Sequence, residues 1–575
     1  MNKTTAALLL ENLLERVELD AGSGKWRLGT LSSKEKAALE LAVIVLGNGE
    51  AAMLLKPEVP PIRDGAPCGV GISGGEFAHV VDQPVHQADA AQPKELGDSV
   101  EELAAVSLDI RSLELSEPED PNITLCLDFG TAMSKAFAMQ GREQPLELAL
   151  GIRAGGSGYP VDSTLFITDK GVIVFGPQAV TQGAAAAEAG RMRFDSPKSR
   201  LSMGEQGEID KIHVRMEINP TSISFSEGEL ITLYLGYLTD LAVSELQARG
   251  HSRYTVRRFA RPCWQEERNL WAEPLLRRML SQAQILADTF QGRWQAGIPV
   301  GQAKAALTKI RELANVPEYL LDQSIPEPVA AAASLMMRDE AQREIFMVVD
   351  VGAGTTDFGV FLLQHNPDRD VCLTRIIPGT IEYLPEAGNR VDDLLKFYVL
   401  DQEGIDPGSV EGTHNKIYLD SRIRLYKETL FRDGSVEITL ANHSRVLVQR
   451  EEFLKSSRVK SFAQRLKVKF ESVLAAVGEG YLDLLARTDL KVVLTGGGAS
   501  LPMVLDLAHG VVEVGGRKIL RKPTALVPEW IEETYPQFAP QYPQLAVAIG
   551  GAAPDLPDQA PSFADFKGLG SRTYA

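Results

Sequence analysis

Three stretches of the chain share one pattern: an apolar run of strand length, a polar residue at its end, then a glycine-rich turn. In Ile345–Phe361, the run Phe346–Val349 ends on Asp350. Gly352, Ala353, Gly354, Thr355, Thr356 and Asp357 follow, and a second apolar run, Phe358–Leu363, leaves. Ile123–Met139 repeats the order with an apolar run, Asp128, Gly130, Thr131, Ala132, Ser134 and Lys135, then apolar residues again. Lys491–Val504 carries a third run into Gly496, Gly497 and Gly498. Short apolar runs bounded by turn signals predict buried strands, so each stretch reads as strand, turn, and return.

The turns suggest the chemistry. Glycine lets backbone N–H groups approach a ligand closely, and successive N–H groups in a turn form an anion nest suited to phosphate. Asp128 and Asp350 beside such nests would repel phosphate, so a cation is implied, and hard carboxylate oxygens suit Mg²⁺. Two copies of the pattern, a domain's length apart, predict a duplicated α/β unit whose two turns face one cleft.

Elsewhere the pattern is helical. Leu230–Ala248 is an amphipathic helix, and residues 265–299, which carry Trp271 and Trp294, are helical in period. Short strands are expected at Leu146–Leu150, Ser163–Thr168 and Val172–Phe175. Leu8, Leu9, Leu10, Leu13, Leu14 and Val17 form a helical stripe. Ser32 with Glu35 offers a capping box, opening a helix over Lys34–Leu46. Residues 1–82 thus read as a partly helical module. Residues 83–120 are acidic, poor in aromatics and read as a flexible linker, with short helices at Ser99–Ser107. Whether this region is a solvated tail or docks a protein partner is open at this level.

Composition narrows the classes. The net charge of -18 over 575 residues argues against nucleic acid or an anionic membrane as a general partner. Four cysteines without a CxxC pair favour a reducing compartment, with Cys126 and Cys263 as core thiols. The amphipathic, acid-bearing N-terminus makes a poor signal peptide, and no apolar run reaches membrane-spanning length. The cytoplasm is the default expectation. There is no metal-ligand Cys/His spacing, no GxSxG and no Walker-type GxxxxGK[ST].

In this order the segments resemble the actin-like ATPase superfamily, most closely the ATPase domain of the seventy-kilodalton heat-shock chaperones. Ile325–Ser334 looks like that family's first connecting helix, and Tyr542–Ala553 like its closing one. The resemblance implies a duplicated ribonuclease-H-like fold of two lobes, 121–342 and 343–554, around a central nucleotide cleft, with a helical insertion at about 265–299 and a polar tail, 555–575. It implies ATP or ADP with Mg²⁺, the metal on Asp128 and Asp350. The phosphates lie on Gly130, Thr131, Ala132, Gly352, Ala353, Gly354 and Thr355, and the adenosine beside Gly496, Gly497, Gly498 and Lys427. Lys198, in FDSPKSRL, falls at the family's catalytic lysine, and Glu327 or Asp357 would orient the attacking water.

The departures matter too. The strand in Tyr254–Trp264 is interrupted by Arg257, Arg258 and Arg261. In Tyr418–Leu430, read as the adenine-contacting helix, Arg424 and Glu428 exchange the family's charges, and Ser500 replaces a basic side chain beside the base. After the closing helix only Asp555–Ala575 remains, so the resemblance is to the chaperone engine without its peptide-binding domain. It implies an ATP-hydrolysing switch acting on a protein partner through the N-terminal region or the insertion. An actin-like, self-associating assembly protein and a small-molecule kinase are the alternatives.

Overall fold

Alternating residues in VELD and KWRL make a small antiparallel pair, Val17–Asp20 with Lys25–Leu28. Val17 therefore opens a strand rather than closing a helical stripe, because its segment alternates apolar and charged positions with period two. The computed structural model describes residues 17–20, 25–28, 106–142, 144–335, 342–366, 371–524 and 527–559. The helices expected over Leu8–Leu14 and Lys34–Leu46 lie outside them. The chain divides into two units, Met1–Glu95, which holds this pair, and Leu96–Ala575.

The second unit is mixed α/β with several sheets. Its first half lays down β1 (Ile123–Asp128), β2 (Met133–Gln140), β3 (Gln144–Glu147), β4 (Val256–Arg261) and β5 (Leu321–Pro326), in the order β3-β2-β1-β4-β5. β1, β2 and β3 pair antiparallel, while β4 and β5 run parallel to β1. The helices of this half include α1 (Pro197–Met203), α2 (Glu227–Ala248), α3 (Glu266–Thr289), α4 (Val300–Glu312) and α5 (Glu327–Ala333).

The second half repeats the arrangement. Its main sheet is built on β6 (Gln342–Val351), β7 (Thr356–Asn366), β8 (Val371–Ile376), β9 (Asp489–Thr495), β10 (Gly510–Val514) and β11 (Arg517–Pro523), in the order β8-β7-β6-β9-β11-β10. Again three strands pair antiparallel, and β9 and β11 run parallel to β6. α6 (Gly388–Gln402), α7 (Ile423–Asp433) and α8 (Tyr542–Ala552) belong to this half. Among the described residues, no helix is long and apolar enough to cross a membrane.

Each half has its own apolar core, and a third core joins them. The junction is α5 against α8, both built from small residues. A Cβ on Gly550 would lie 1.7 Å from the carbonyl oxygen of Ala330, so the two helices approach to a distance that only glycine permits. Cys126 is a buried thiol in this junction, and Cys263 is buried as well.

Several local expectations change. Val106–Asp120 belongs to the stretch read as a flexible linker, but it is a packed strap on the first half. Val106 is buried, Leu108 and Leu113 lean on the core, Tyr319 donates to the Ser112 carbonyl (2.9 Å), and Glu119 N–H donates to the Tyr254 carbonyl (3.0 Å). Three apolar residues among acids suffice to anchor it. Val106 and Ser107 are not helical, and Ser99–Ala105 lies outside the described residues.

The helical insertion is largely core. α3 lies along α2 and buries Leu276, Met279, Leu280 and Ala283, while Trp294 packs among Phe175, Tyr237 and Phe290. The arginine-interrupted strand is formed as β4, and each of its guanidiniums has at least one acceptor. Arg257 is buried and donates to the Arg253 carbonyl, Arg258 pairs with Asp322, and Arg261 reaches Ser324. The single helix expected over Tyr418–Leu430 is two, Val410–Asp420 and α7, broken at Ser421–Arg422. Of the strand expected at Leu146–Leu150 only Leu146 and Glu147 are extended, as the end of β3, and Leu150 starts a helical turn.

Candidate functional site

The carboxyl ends of parallel strands are where open α/β sheets present ligand sites. Here those ends carry Asp128 as the last residue of β1, Glu327 just after β5, Asp350 near the end of β6, and Thr495 as the last residue of β9 with Gly496 after it. The β1–β2 hairpin sets Asp128 opposite Lys135, and the β6–β7 hairpin sets Asp350 opposite Asp357. The two turns meet. A Cβ on Gly354 would sit 2.9 Å from Thr131 Oγ1 and 3.4 Å from Ser199 Oγ, so any side chain there would push the halves apart. The third turn docks on the second through the Gly498 N–H, which donates to the Val351 carbonyl (2.9 Å), and on the start of α8 through the Gly496 N–H, which donates to the Pro543 carbonyl (2.7 Å).

One cleft between the halves is lined by every residue that the sequence reading placed in the site, except Gly354 and Asp357. Gly354 lies at the contact just described. Asp357 is wholly buried behind the second turn, where its Oδ1 accepts the Cys263 N–H (2.8 Å). Of the two acids named for orienting water, only Glu327 therefore lines the cleft.

Charge is concentrated at the base of the cleft. Asp128 pairs with Lys135 at 3.0 Å, Lys198 pairs with Glu327, and Thr495 Oγ1 donates to Asp350 Oδ1 at 2.9 Å. Burial raises the Asp350 carboxyl, and Glu327 and then Asp128 push it further, to about 7. Burial and Glu327 likewise hold Asp357 well above the usual carboxylate range. For Lys198, burial favours loss of the proton, but Glu327 and Asp128 outweigh it and the ammonium is held above its usual value. Asp128, Glu327 and Asp350 thus crowd one cleft with two lysines, Lys135 and Lys198, between them.

A divalent cation with hard oxygen ligands would relieve the crowding of these acids and favour their ionised forms. Among the described residues, no group of three His, Cys, Asp or Glu side chains is arranged to hold a metal directly. Asp128 and Asp350 fit a Mg²⁺ that keeps most of its waters.

The opposite wall is α6 and α7. Gly388 and Asn389, at the start of α6, donate their N–H groups to the carbonyls of Gly352 and Ala353 (3.1 and 2.7 Å), which fastens the second turn to that helix. Lys427 Nζ donates to Asp392 Oδ2 (2.8 Å) and to the Gly388 carbonyl (3.0 Å). Burial raises Asp392, and Lys427 pulls it back. Arg424 pairs with Glu428 at 3.1 Å and lies 3.7 Å from Asp162 of the first half.

Lys135, Asn389, Asp392 and Gln544 also line the cleft, and sequence reasoning did not place them there. Lys135 stood within the motif, two residues from the hairpin turn, where antiparallel pairing sets it against Asp128. Asn389, Asp392 and Gln544 carry no local signal, because helix packing alone turns them inward. No protein-family model matches the chain, and no curated protein matches it.

Proposed function

We propose that this chain is a Mg²⁺-dependent, ATP-binding conformational switch with the duplicated ribonuclease-H-like architecture of actin-like ATPases, closest to the heat-shock-chaperone ATPase domain, and that it acts through a protein partner. The observation that carries the reading is the meeting of two equivalent acidic hairpins, one from each half, at a single cleft. The repeated order of three antiparallel and two parallel strands supports the architecture.

In this reading the β- and γ-phosphates rest on the two turns, at Gly130 and Thr131 and at Ala353 and Thr355, through N–H groups and hydroxyls at the cleft. Gly352 closes the second turn by donating its N–H to the Thr355 carbonyl (3.0 Å), and Gly354 brings that turn against Thr131. Phosphoryl transfer to water needs positioning and charge neutralisation more than covalent help. A Mg²⁺ held through water by Asp128 and Asp350 would spread the charge of the phosphates. Lys198 neutralises the charge that develops on the γ-phosphoryl oxygens. Glu327, holding Lys198 and lining the cleft, orients the attacking water and accepts its proton. Asp357 holds the second turn through Cys263. Lys427 and the turn Gly496–Gly498 flank the nucleoside.

Closure of the halves on nucleotide and reopening after hydrolysis is the two-state element. The test is calorimetry of the full chain with ATP, with and without Mg²⁺, alongside phosphate release. Micromolar, Mg²⁺-dependent binding with slow turnover supports the reading, and no uptake at millimolar ATP overturns it. Nucleotide-dependent sedimentation would instead favour an actin-like assembly protein, and transfer to a sugar panel with little hydrolysis a kinase.

A further inference from the structure

Lys198 sits on α1, a helix of seven residues with little to hold it by itself. Its N-cap, Ser196, has a left-handed backbone (φ 56°) and makes no side-chain capping bond. Isolated helices of this length are unstable, and the last carbonyls of any helix lack partners within it. Yet the ammonium of Lys198 must stay within a fraction of an ångström of its target to be useful.

The support comes from α3, the helix read from sequence as an insertion. Arg268, in its first turn, donates through Nη1 to the carbonyls of Leu201 (3.0 Å) and Gly204 (2.7 Å), at the carboxyl end of α1. A cation there meets both the unpaired carbonyls and the negative end of the helix dipole. The guanidinium also lies over the Trp271 ring, 5.4 Å from its centre, which limits its freedom. Beside it, Trp264 Nε1 donates to Ser202 Oγ of α1 (3.1 Å). The neighbouring residue, Cys263, donates its N–H to Asp357 in the other half. One short turn between β4 and α3 thus holds the lysine helix on one side and the second acidic hairpin on the other.

We infer that Arg268 is a positioning residue, and that the first turn of α3 clamps α1 so that Lys198 faces the nucleotide phosphates. The placement of Lys198 rests on the function proposed above; the clamp on α1 does not. The insertion then serves the reaction directly, from behind the helix that carries the lysine.

The test compares Arg268→Gln, Arg268→Lys and Trp264→Phe with Arg278→Gln, a control on the same helix whose partner is the exposed Asp210. Two readouts are needed. In the nucleotide-free full chain, hydrogen exchange should quicken in α1 for Arg268→Gln, stay confined to that helix, and stay unchanged in the control. Unchanged exchange in α1, or loosening spread over the whole first half, overturns the clamp whether or not the chain hydrolyses ATP. In steady-state hydrolysis, Arg268→Gln should lower kcat by roughly tenfold or more with KM for MgATP within about twofold, since the loss falls on the transition state. Arg268→Lys, which keeps the charge, should recover part of it, and Trp264→Phe should show a smaller fall. A change in KM alone overturns the positioning role. A wild type that neither binds nor hydrolyses ATP overturns the proposed function, and the exchange result then decides the clamp by itself.

Discussion

Asp350 sits where water cannot solvate its ionised carboxylate, which favours the protonated form. Its carboxyl titrates near 7 because of burial first, then Glu327 and Asp128. A group whose folded value is raised contributes stability in full below its unfolded value and loses it as pH climbs through the folded one. In Mg²⁺-free buffer, wild type should therefore lose stability relative to Asp350→Asn between about pH 4 and about pH 7. Parallel denaturation curves for the two proteins across that range would contradict the buried placement of this acid. With Mg²⁺ and ATP, Asp350→Asn should fold normally and hydrolyse at least about a hundredfold more slowly, on the scale of one preorganised charge-stabilising group. Turnover like that of wild type would discredit the metal assignment.

Lys198 and Glu327 make a second prediction of this kind. Both are buried, with 2% and 6% of their surface exposed, so deleting one strands the other's charge. Lys198→Ala should cost about 3–5 kcal/mol, and Lys198→Ala with Glu327→Ala less than the sum of the single changes. Urea denaturation of the four proteins measures it, and additive losses would mean the pair does not interact. A leucine at Gly354 should leave each half folded but weaken nucleotide binding, because the side chain meets Thr131 and Ser199 across the gap.

Segments behave in ways that their own composition does not announce. Val106–Asp120 is acidic enough to pass for linker, yet Val106, Leu108 and Leu113 lean on the first half's core and its backbone is bonded at both ends. Truncation before Val106 should leave the melting temperature of the remaining chain near that of the full protein. Truncation after Asp120 removes those contacts and should lower it by several degrees. Equal melting for the two truncations would show that the strap contributes nothing. The same holds for α3, whose charged first turn hides a packed second half, and for β4, whose arginines read as an interruption only until their acceptors are seen. Ser226 is the opposite case. Its capping box with Glu229 opens α2 through purely local bonds, and capping bonds of this kind are worth roughly 1 kcal/mol.

The two halves touch at the α5–α8 junction and at the hairpin turns, and the cleft between them is where motion would matter. If the chain closes on nucleotide, MgATP should reduce its radius of gyration in solution scattering and protect the Arg424–Asp162 region from protease. Scattering and cleavage that ignore nucleotide would argue against a switch.

The two acidic hairpins and the third glycine turn were legible in the chain, because each is a local pattern of apolar run, polar residue and glycine turn; the connecting helices were read only through the resemblance. Periodicity and turn chemistry act over a few residues, so sequence alone determined that Asp128, Asp350 and the glycine turns belong to one kind of structure. It also pointed to Lys198, through the residues around it. Which of Glu327 and Asp357 faces the cleft, that Lys135 neutralises Asp128, that Asn389, Asp392 and Gln544 line the walls, and that Arg268 holds the lysine helix were decided only by the tertiary structure. The Lys135 pair depends on the register of one hairpin; the others depend on helices and strands far apart in sequence coming together, and no local pattern encodes which partner arrives on the far side of a packed element.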